Sequence, residues 1–560
     1  MRSRLAGEFP VSVAVGFLAS CLAISPLVAE EPLPVADDIF HSTNLLHLAI
    51  EIPAEGVQAL QSTYAGRSAT EKPEAQARVT EGGRVYTNVS VQLKGFTTFD
   101  SIDRRPSLTL NFNKTAPKQK FHGLTKISLN NSYQDITRLH EKFSREMFAA
   151  AGVPVPRADH ALVTLNGRDL GLYVLTEGFS KEFLKQHFKR ADGTLYEGGT
   201  LRDITQGLRI NSGGQTTNKA IVQRLIDASR EPDAGKRLHE LEAVLDLDRF
   251  LSMTAMETIL CHSDTYSMNR NNYRIYHDPT TDKLVFMPHG MDRVLGTHRS
   301  QLDLSVVPTM LGIVARAVIS TPEGRRRHVE RVGAFLTNHF DPDRLCGRVH
   351  EMNDIIISFK TNELATRRFD SRPDHGPTQD ADDLCARISE RAAEVKFQLS
   401  DVRELLTAPP VPEFGTNRIA LLNGWKPKRP VSQPASRFET TMENDVLHLH
   451  STNTPLMASL RNRITLPLGN YRLLGENIVT NSAGTTNPIT LKLVRYSSDR
   501  FAIGEQFLKG RSINLPFQVN PMLAPEEIEL ICEIRDDGSD VWFDPRALKL
   551  IRLEMPFASP

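Results

Sequence analysis

Charge of one sign is what this chain lacks most plainly: 67 Lys and Arg balance 67 Asp and Glu across 560 residues, so no net field draws it to nucleic acid. Cysteine is scarce too. The 5 cysteines hold no Cys-x-x-Cys pair and no zinc-like histidine spacing, which excludes a disulfide-built scaffold and a zinc module. Cys346 and Cys385 flank one helical stretch and could pair in an oxidising compartment, but separate buried thiols are the expectation. There is no Walker-type loop and no Gly-x-Gly-x-x-Gly loop, so phosphate sites of those two kinds are excluded. Past the N-terminus, no run approaches the roughly 18 to 20 apolar residues that cross a bilayer. The hydrophobic fraction, 40%, is that of an ordinary globular chain, and the length accommodates about three domains.

What is present begins with a targeting segment. Arg2 and Arg4 precede an apolar run over residues 11–24, and Leu27-Val28-Ala29 then meets Glu30-Glu31, the pattern of an export signal peptide over residues 1–29. The expected location is therefore secreted or cell envelope. Leu18-Ala19-Ser20-Cys21 resembles a lipobox, which leaves a lipid anchor at Cys21 as the alternative to free secretion.

Residues 38–200 read as a mixed α/β lobe. Apolar and polar residues alternate over 46–50, 89–95 and 107–112, which predicts sheet strands because successive strand side chains face opposite ways. Between the last two lie Gly95, Thr97, Thr98, Arg104 and Arg105, where glycine lets backbone approach a ligand and guanidinium groups can meet phosphate. Lys94 and Arg105 are both candidates for that contact. Leu139, Phe143 and Met147 recur at i, i+4 and predict a helix stopped by Gly152, on which Glu141 or Glu146 could reach the basic residue. Asn166-Gly167 predicts a tight hairpin between two further strands, since both positions tolerate positive φ. Glu177, at the end of the second, is the candidate for the junction between lobes.

The most informative stretch is residues 245–296. Leu247, Phe250, Leu251, Ala255, Thr258 and Ile259 predict a helix, and its exit over residues 262–272 is dense in Asp, Asn and Ser, which favour loops. Two β-rich runs, 273–277 and 283–287, flank the turn formers Asp278-Pro279-Thr280-Thr281-Asp282 and predict a hairpin, with Asp292 just beyond it. Helix, polar loop, hairpin and Asp is the order found in the catalytic half of a protein kinase. There one Asp accepts a hydroxyl proton while an Asn and a second Asp hold magnesium. On that logic Asp264 is the base, Asn272 or Asn269 the metal-binding amide and Asp292 the metal-binding carboxylate. The usual triplets His-Arg-Asp and Asp-Phe-Gly are both absent.

The run from Asp264 to Asp292 resembles the signature of the spore-coat protein H (CotH) kinase family, with its Asp-rich loop, Asn-Tyr strand, hairpin and Pro-Trp-Asp-x-Asp end. Asn272-Tyr273 match the Asn-Tyr pair and Asp292 the second Asp, while His289 and Gly290 stand where the family has Trp and Asp. Upstream, Lys94-Gly95, Arg105-Pro106-Ser107 and the Gly171, Tyr173, Glu177 spacing extend the likeness over roughly residues 89–296. The resemblance implies an atypical, secreted, protein-kinase-like fold that transfers phosphate from ATP to serine in proteins. It implies ATP and Mg2+ (or Mn2+) as cofactors, with Lys94, Arg105, Glu141 and Glu177 toward the nucleotide, Asn272 and Asp292 on the metal, and Asp264 in catalysis. The implied partner is a protein substrate with a Ser/Thr acceptor. Because Gly290 replaces the family's expected metal ligand, either Asp292 takes over or the chain is a silent kinase-like scaffold.

Residues 201–406 complete the larger, mainly helical lobe, and the proline-rich residues 407–436 read as a linker. Residues 437–560 change to short strands separated by turn residues, which predicts an all-β jelly-roll-like sandwich. The expected class is thus α+β: a two-lobe kinase-like domain followed by that sandwich. Trp425, Tyr471 and Trp542 are candidates for a face that stacks on carbohydrate, against the core positions such aromatics usually take. Two readings follow, an exported Ser/Thr kinase and a catalytically inactive scaffold whose β domain binds carbohydrate or cell-surface partners.

Overall fold

Seven strands of the N-terminal lobe close on themselves. A computed structural model of the protein describes residues 35–42, 44–62, 72–95, 98–135, 137–213, 219–296, 302–363, 377–428, 438–451, 456–481, 489–495, 502–508, 512–519, 526–536 and 540–554. The expected signal peptide and Cys21 lie outside these residues. The strands are β1 (Leu46–Glu51), β2 (Glu74–Glu81), β3 (Arg84–Lys94), β4 (Ser107–Asn111), β5 (Lys126–Asn130), β6 (Ala158–Leu165) and β7 (Arg168–Glu177). Around the barrel they run β1-β2-β3-β4-β5-β7-β6, and the parallel pairing of β1 with β6 closes the ring. Alternation explains the closure. Leu48, Ile50, Val89, Val91, Leu93, Leu108, Leu110, Ile127 and Leu129 point inward and share one core with Phe112 and Phe121, whose rings stack at 5.0 Å. Each such aliphatic side chain, once buried, contributes about 1.5–3 kcal/mol. Lys94, Lys126, Ser128 and Asn130 occupy the alternate, partly exposed positions of β3 and β5. The Asn166-Gly167 turn joins β6 to β7 with φ of 48° and 76°, as its sequence requires.

The helix His140–Ala150 lies outside the barrel. Asp135 accepts the His140 backbone N–H at 3.0 Å ahead of it, and Gly152, at φ 72°, ends it while Val153 donates back to Phe148 O. Phe143, Met147 and Phe148 belong to the core of the helical lobe, so this helix is positioned by the larger lobe.

That lobe starts with a four-stranded sheet made of β8 (Thr194–Glu197), β9 (Arg209–Ser212), β10 (Tyr273–Asp278) and β11 (Lys283–Pro288), in the order β11-β10-β8-β9. The helix Leu247–Ile259 is capped by the Asp246 side chain and is buried along nearly its whole length. Phe286 of β11 packs its ring against Phe250 of this helix at 5.1 Å and against Tyr266 of the next short helix, Tyr266–Asn269, at 4.6 Å. The polar loop is thereby pinned between helix and hairpin. The helices Ile313–Ile319, Pro322–Asn338, Pro342–Glu363 and Pro377–Leu399 follow. Among the described residues no helix is long and apolar enough to cross a membrane.

From Ile419 onward the described residues form strands, apart from one 3-10 turn at Pro545–Ala547. The strands make three sheets, of four, five and four members, over one core that includes Trp425, Tyr471 and Phe543. The stretch expected to be a linker holds two of these strands, Ile419–Leu421 and Lys426–Lys428, and Leu422 and Trp425 between them are buried. Pro427 lies within the second of these strands, opposite Leu460, on the edge of its sheet, where a missing N–H is tolerated.

Candidate active site

The outward face of β3 and β5 meets the polar loop and the residues after β11. Lys94, the last residue of β3, donates through Nζ to Asn130 Oδ1 of β5 at 2.6 Å. Burial lowers the Lys94 ammonium to about 8, an effect that the negative charges of Glu141 and Asp292 resist and that Arg145 and Arg274 reinforce. Glu141, buried on the helix His140–Ala150, accepts from Arg145 Nη2 at 2.6 Å and Nε at 3.1 Å, while Arg145 also donates to Pro156 O at 2.7 Å. Glu146 points away and pairs with Arg348 at 2.9 Å. Of the two glutamates considered, Glu141 is the one beside the lysine.

Asp292 is the centre of an acidic group. Burial first, then the charges of Glu141, Asp135 and Asp264, raise its carboxyl to about 7. Three acids from two other segments thus act on Asp292, and two of the four acids, Glu141 and Asp292 itself, also act on Lys94. Like charges held this close store repulsion that a cation would relieve.

Asp264 is gripped by the asparagines that follow it. Its Oδ1 accepts from Asn269 Nδ2 at 2.6 Å and Asn271 Nδ2 at 3.0 Å, and its Oδ2 accepts from Asn272 Nδ2 at 3.1 Å. Asn272 Nδ2 also donates to the Asp264 backbone carbonyl at 2.8 Å. A carboxylate offers about four lone-pair sites. These bonds occupy two on Oδ1 and one on Oδ2, which leaves one direction on Oδ2.

Gly290 explains how Asn272 is accommodated. Its φ is 65°, and a Cβ there would come within 2.8 Å of Asn272 Oδ1. Only glycine keeps the space before that oxygen open. Asn269 Oδ1, buried and without a hydrogen-bond partner among the described residues, adds a second carboxamide oxygen to the same loop. No group of three or more His, Cys, Asp or Glu side chains suited to a metal occurs among the described residues. A hard cation such as Mg2+ is commonly held by one or two protein oxygens and completed by water and phosphate. Asp292, with the Asn272 carboxamide, fits that requirement.

Two other candidates sit elsewhere. Arg105 donates from Nε to Leu170 O at 3.2 Å and from Nη2 to Leu172 O, and its guanidinium lies over the Tyr173 ring at 5.0 Å, so its fork is directed along β7. Glu177, fully buried at the end of β7, accepts from Arg157 Nε at 3.1 Å and from Gln186 Nε2 at 3.0 Å. It joins the two flanking segments as a structural ion pair.

Several residues at the site carried no role in the sequence reading. Asn130 belongs to a run, Leu129-Asn130-Asn131, that gave no sign of facing Lys94. His262, two residues before Asp264, is fully buried with neither ring nitrogen bonded among the described residues. Burial lowers it to about 4 against the opposing pull of Asp264 and Glu141. The His-x-Asp spacing at a helix exit was the available signal. His289 is held neutral by burial and by Arg274, Lys94 and Arg145, and its Nε2 lies 3.2 Å from Arg274 Nη1 and so accepts that proton. Phe179, just past β7, places its ring 6.0 Å from His289 and 5.5 Å from the Arg274 guanidinium. Beside Phe179 opens a cavity of about 350 Å3, lined also by Asn111, Lys126, Lys181, Asp192 and Gly213.

Beneath the polar loop, Glu257 is buried with neither carboxyl oxygen bonded among the described residues. Burial raises it to about 8, and the hydroxyls of Ser267 and Thr265 offset only part of that. The unfolded carboxyl ionises near 4.3. Stability should therefore fall as pH rises from there to about 8, where the folded state finally releases its proton, and stay low above. Glu257→Gln has no proton to lose, so urea denaturation at pH 9 should find it gaining on wild type relative to pH 5. An equal difference at both pH values would contradict this.

A barrel lobe, a helical lobe and these residues at their meeting define a protein-kinase-like domain. A family model described as CotH kinase protein matches residues 91–391, over half of the chain, and the chain belongs to that family. The inner spore coat protein H of Bacillus subtilis (strain 168) is 22% identical over 305 residues, which cover 50% of this chain and 80% of that protein. Among solved structures, the Helicobacter pylori proinflammatory kinase CtkA aligns at 11% identity and TM-score 0.27, covering 56% of this chain and 97% of its own. HipA of Shewanella oneidensis MR-1, from its complex with HipB and operator DNA, aligns at 11% identity and TM-score 0.27 over 56% of this chain and 70% of that one. TmCBM61, solved with β-1,4-galactotriose, aligns at 13% identity and TM-score 0.17 over 25% of this chain and 98% of that one.

Proposed function

We propose that this chain is an exported protein kinase that moves the γ-phosphate of ATP to a Ser or Thr side chain of an extracytoplasmic protein. The observation that carries the reading is the convergence of Lys94, Glu141, Asp264 and Asp292, from strand, helix, loop and strand exit, around one space. Lys94 binds and orients phosphate oxygens. Asp292, with the Asn272 carboxamide oxygen, holds the divalent cation, and Glu141 sets the charge around Lys94. Asp264 directs its remaining Oδ2 lone pair at the acceptor hydroxyl and takes its proton. A bound Mg2+ or Mn2+ neutralises charge on the phosphates, which in phosphoryl transfer is most of what catalysis requires beyond positioning. The cavity beside Phe179 has room for a nucleoside, within the usual range of about 300–1,000 Å3. The N-terminal Arg2, Arg4 and the apolar run after them support export.

The test is a thermal-shift titration of the full chain with ATP and Mg2+ or Mn2+, followed by transfer of labelled γ-phosphate to itself and to candidate envelope proteins. Binding at 100 times Kd should stabilise by about 2.7 kcal/mol. No shift with either metal would sink the kinase reading.

One observation favours a second reading, a C-terminal β sandwich that holds carbohydrate. Trp425 and Tyr471 are core residues, whereas Trp542 alternates with buried Val541 and Phe543, so its indole lies on the opposite face and stacks on His448 at 4.6 Å and 5°. His448 and His450 both bond Asp540 Oδ1, at 2.8 and 2.9 Å, which sets hydrogen-bonding groups beside the aromatic pair. On a glycan array, Trp542→Ala should lose at least tenfold in any binding that wild type shows. Unchanged binding would remove this face from the site.

A further inference from the structure

The segment between Asp292 and the helix Ile313–Ile319 is neither helix nor strand where it is described, yet Ser305, Val306, Val307, Thr309, Met310 and Leu311 are all buried. A buried loop must find partners for its backbone, and the partners identify what holds it. Arg391 donates to Leu302 O and Leu304 O, each at 2.7 Å, and also to Thr258 O and Ile259 O at the end of the helix that enters the polar loop. At the far end, Leu311 N and Gly312 N donate to Ser267 O at 2.7 and 3.0 Å, inside the loop that carries Asp264. The segment is thus bonded directly to the candidate catalytic loop.

Within the helical lobe, Gln398 accepts from Val306 N at 2.7 Å and donates to Leu304 O at 3.1 Å, and His328 donates to Val306 O at 2.8 Å. Further support comes from strands about 160 to 220 residues away in sequence. Arg461 pairs with Asp303, and Arg463 donates to Val307 O at 3.3 Å and to Glu527 at 3.2 Å. Glu527 in turn pairs with the buried Arg325 at 2.6 Å, and its backbone carbonyl accepts from Thr309 Oγ1 at 3.4 Å. Asp303 and Arg461 are only 12% and 15% exposed, so each ion is largely withdrawn from water, and Arg461 also lies 3.5 Å from Glu529 Oε2.

We propose that the C-terminal β region is a clamp that fixes residues 302–312 against the catalytic loop, with Arg461 and Arg463 as positioning residues for phosphotransfer. Its catalytic half rests on the kinase reading above; its structural half does not. The clamp makes the two regions one working unit. Whatever loosens the β region loosens the floor beneath Asp264, lowering turnover while the nucleotide contacts at Lys94 and Asp292 stay in place.

The test compares full-length wild type, Arg461→Gln, Asp303→Asn and Arg461→Gln/Asp303→Asn by amide hydrogen exchange and by kinetics. Either single change removes the direct ion pair between strand and segment and leaves one largely buried charge less compensated, so exchange over residues 302–312 should rise at least tenfold while β1–β5 hold their protection. The double variant, which removes both charges, should fall between the singles and wild type. Phosphotransfer should lose kcat at unchanged KM for ATP. Arg461→Lys, which keeps the charge but loses the planar fork, covers the case in which Arg461→Gln does not fold, and should show the same pattern more weakly. Unchanged exchange over 302–312 in the folded variants would overturn the clamp. A wild-type chain with no phosphotransfer would sink the kinase reading, while the exchange measurement would still decide the clamp.

Discussion

Asp292→Asn is expected to abolish the stabilisation that metal and nucleotide give together, while leaving the ligand-free protein at least as stable as wild type near pH 8. The two effects have opposite signs because one carboxylate does two things. Raised by burial first and then by Glu141, Asp135 and Asp264, its folded-state value of about 7 lies above the ordinary value of about 3.9. The unfolded chain gives up that proton first, so the wild-type fold loses stability between those two values and regains none of it above 7. The asparagine carries no such penalty. It also cannot offer a charged oxygen to a cation, so in a thermal-shift titration with ATP and Mg2+ the variant should show no metal-dependent increment. An undiminished shift in Asp292→Asn would remove this residue from the metal role.

Asp264→Asn should separate binding from chemistry. The asparagine oxygen can stay toward Asn269 and Asn271, keeping the two bonds now made by Oδ1, while its amide turns toward Asn272, where a donor now meets a donor. The loop should survive with one bond lost. What disappears is the carboxylate oxygen proposed to take the acceptor proton, and loss of a positioned general base costs about 10²–10⁴-fold in rate. The expected result is a nucleotide-induced shift close to that of wild type with kcat reduced by that factor in a γ-phosphate transfer assay. Autophosphorylation at the wild-type rate would take the base role away from Asp264.

What the sequence made legible was local. Helical spacing, a loop dense in Asp and Asn, a five-residue turn and an acid after a strand are all read within about 50 residues, and the hairpin fell within a residue of its expected ends. Five of the seven barrel strands were visible for the same reason, since alternation reports a two-sided environment, while β2 and β5 were not read as strands. The parts that escaped depend on distant pairings. Asn130 meets Lys94 only because β4 lies between their strands in one register. Arg105 was chosen for its charge, but the carbonyls of Leu170 and Leu172 that capture it lie more than 60 residues away. Glu141 and Glu146 are both acids on one helix, and only the position of Arg348 on another helix separates them. The Trp542 position was recoverable, because period-2 alternation with Val541 and Phe543 assigns its face; Trp425 and Tyr471 needed the three-dimensional core.

The ring of β1 to β7 also limits how another polypeptide can be recognised. With β1 hydrogen-bonded to β6, every barrel strand has two neighbours, and among the described residues the barrel presents no open edge to which a visiting segment could add itself as an extra strand. A polypeptide docking on this lobe would therefore be gripped through side chains, and strand addition is left to open sheets such as β11-β10-β8-β9.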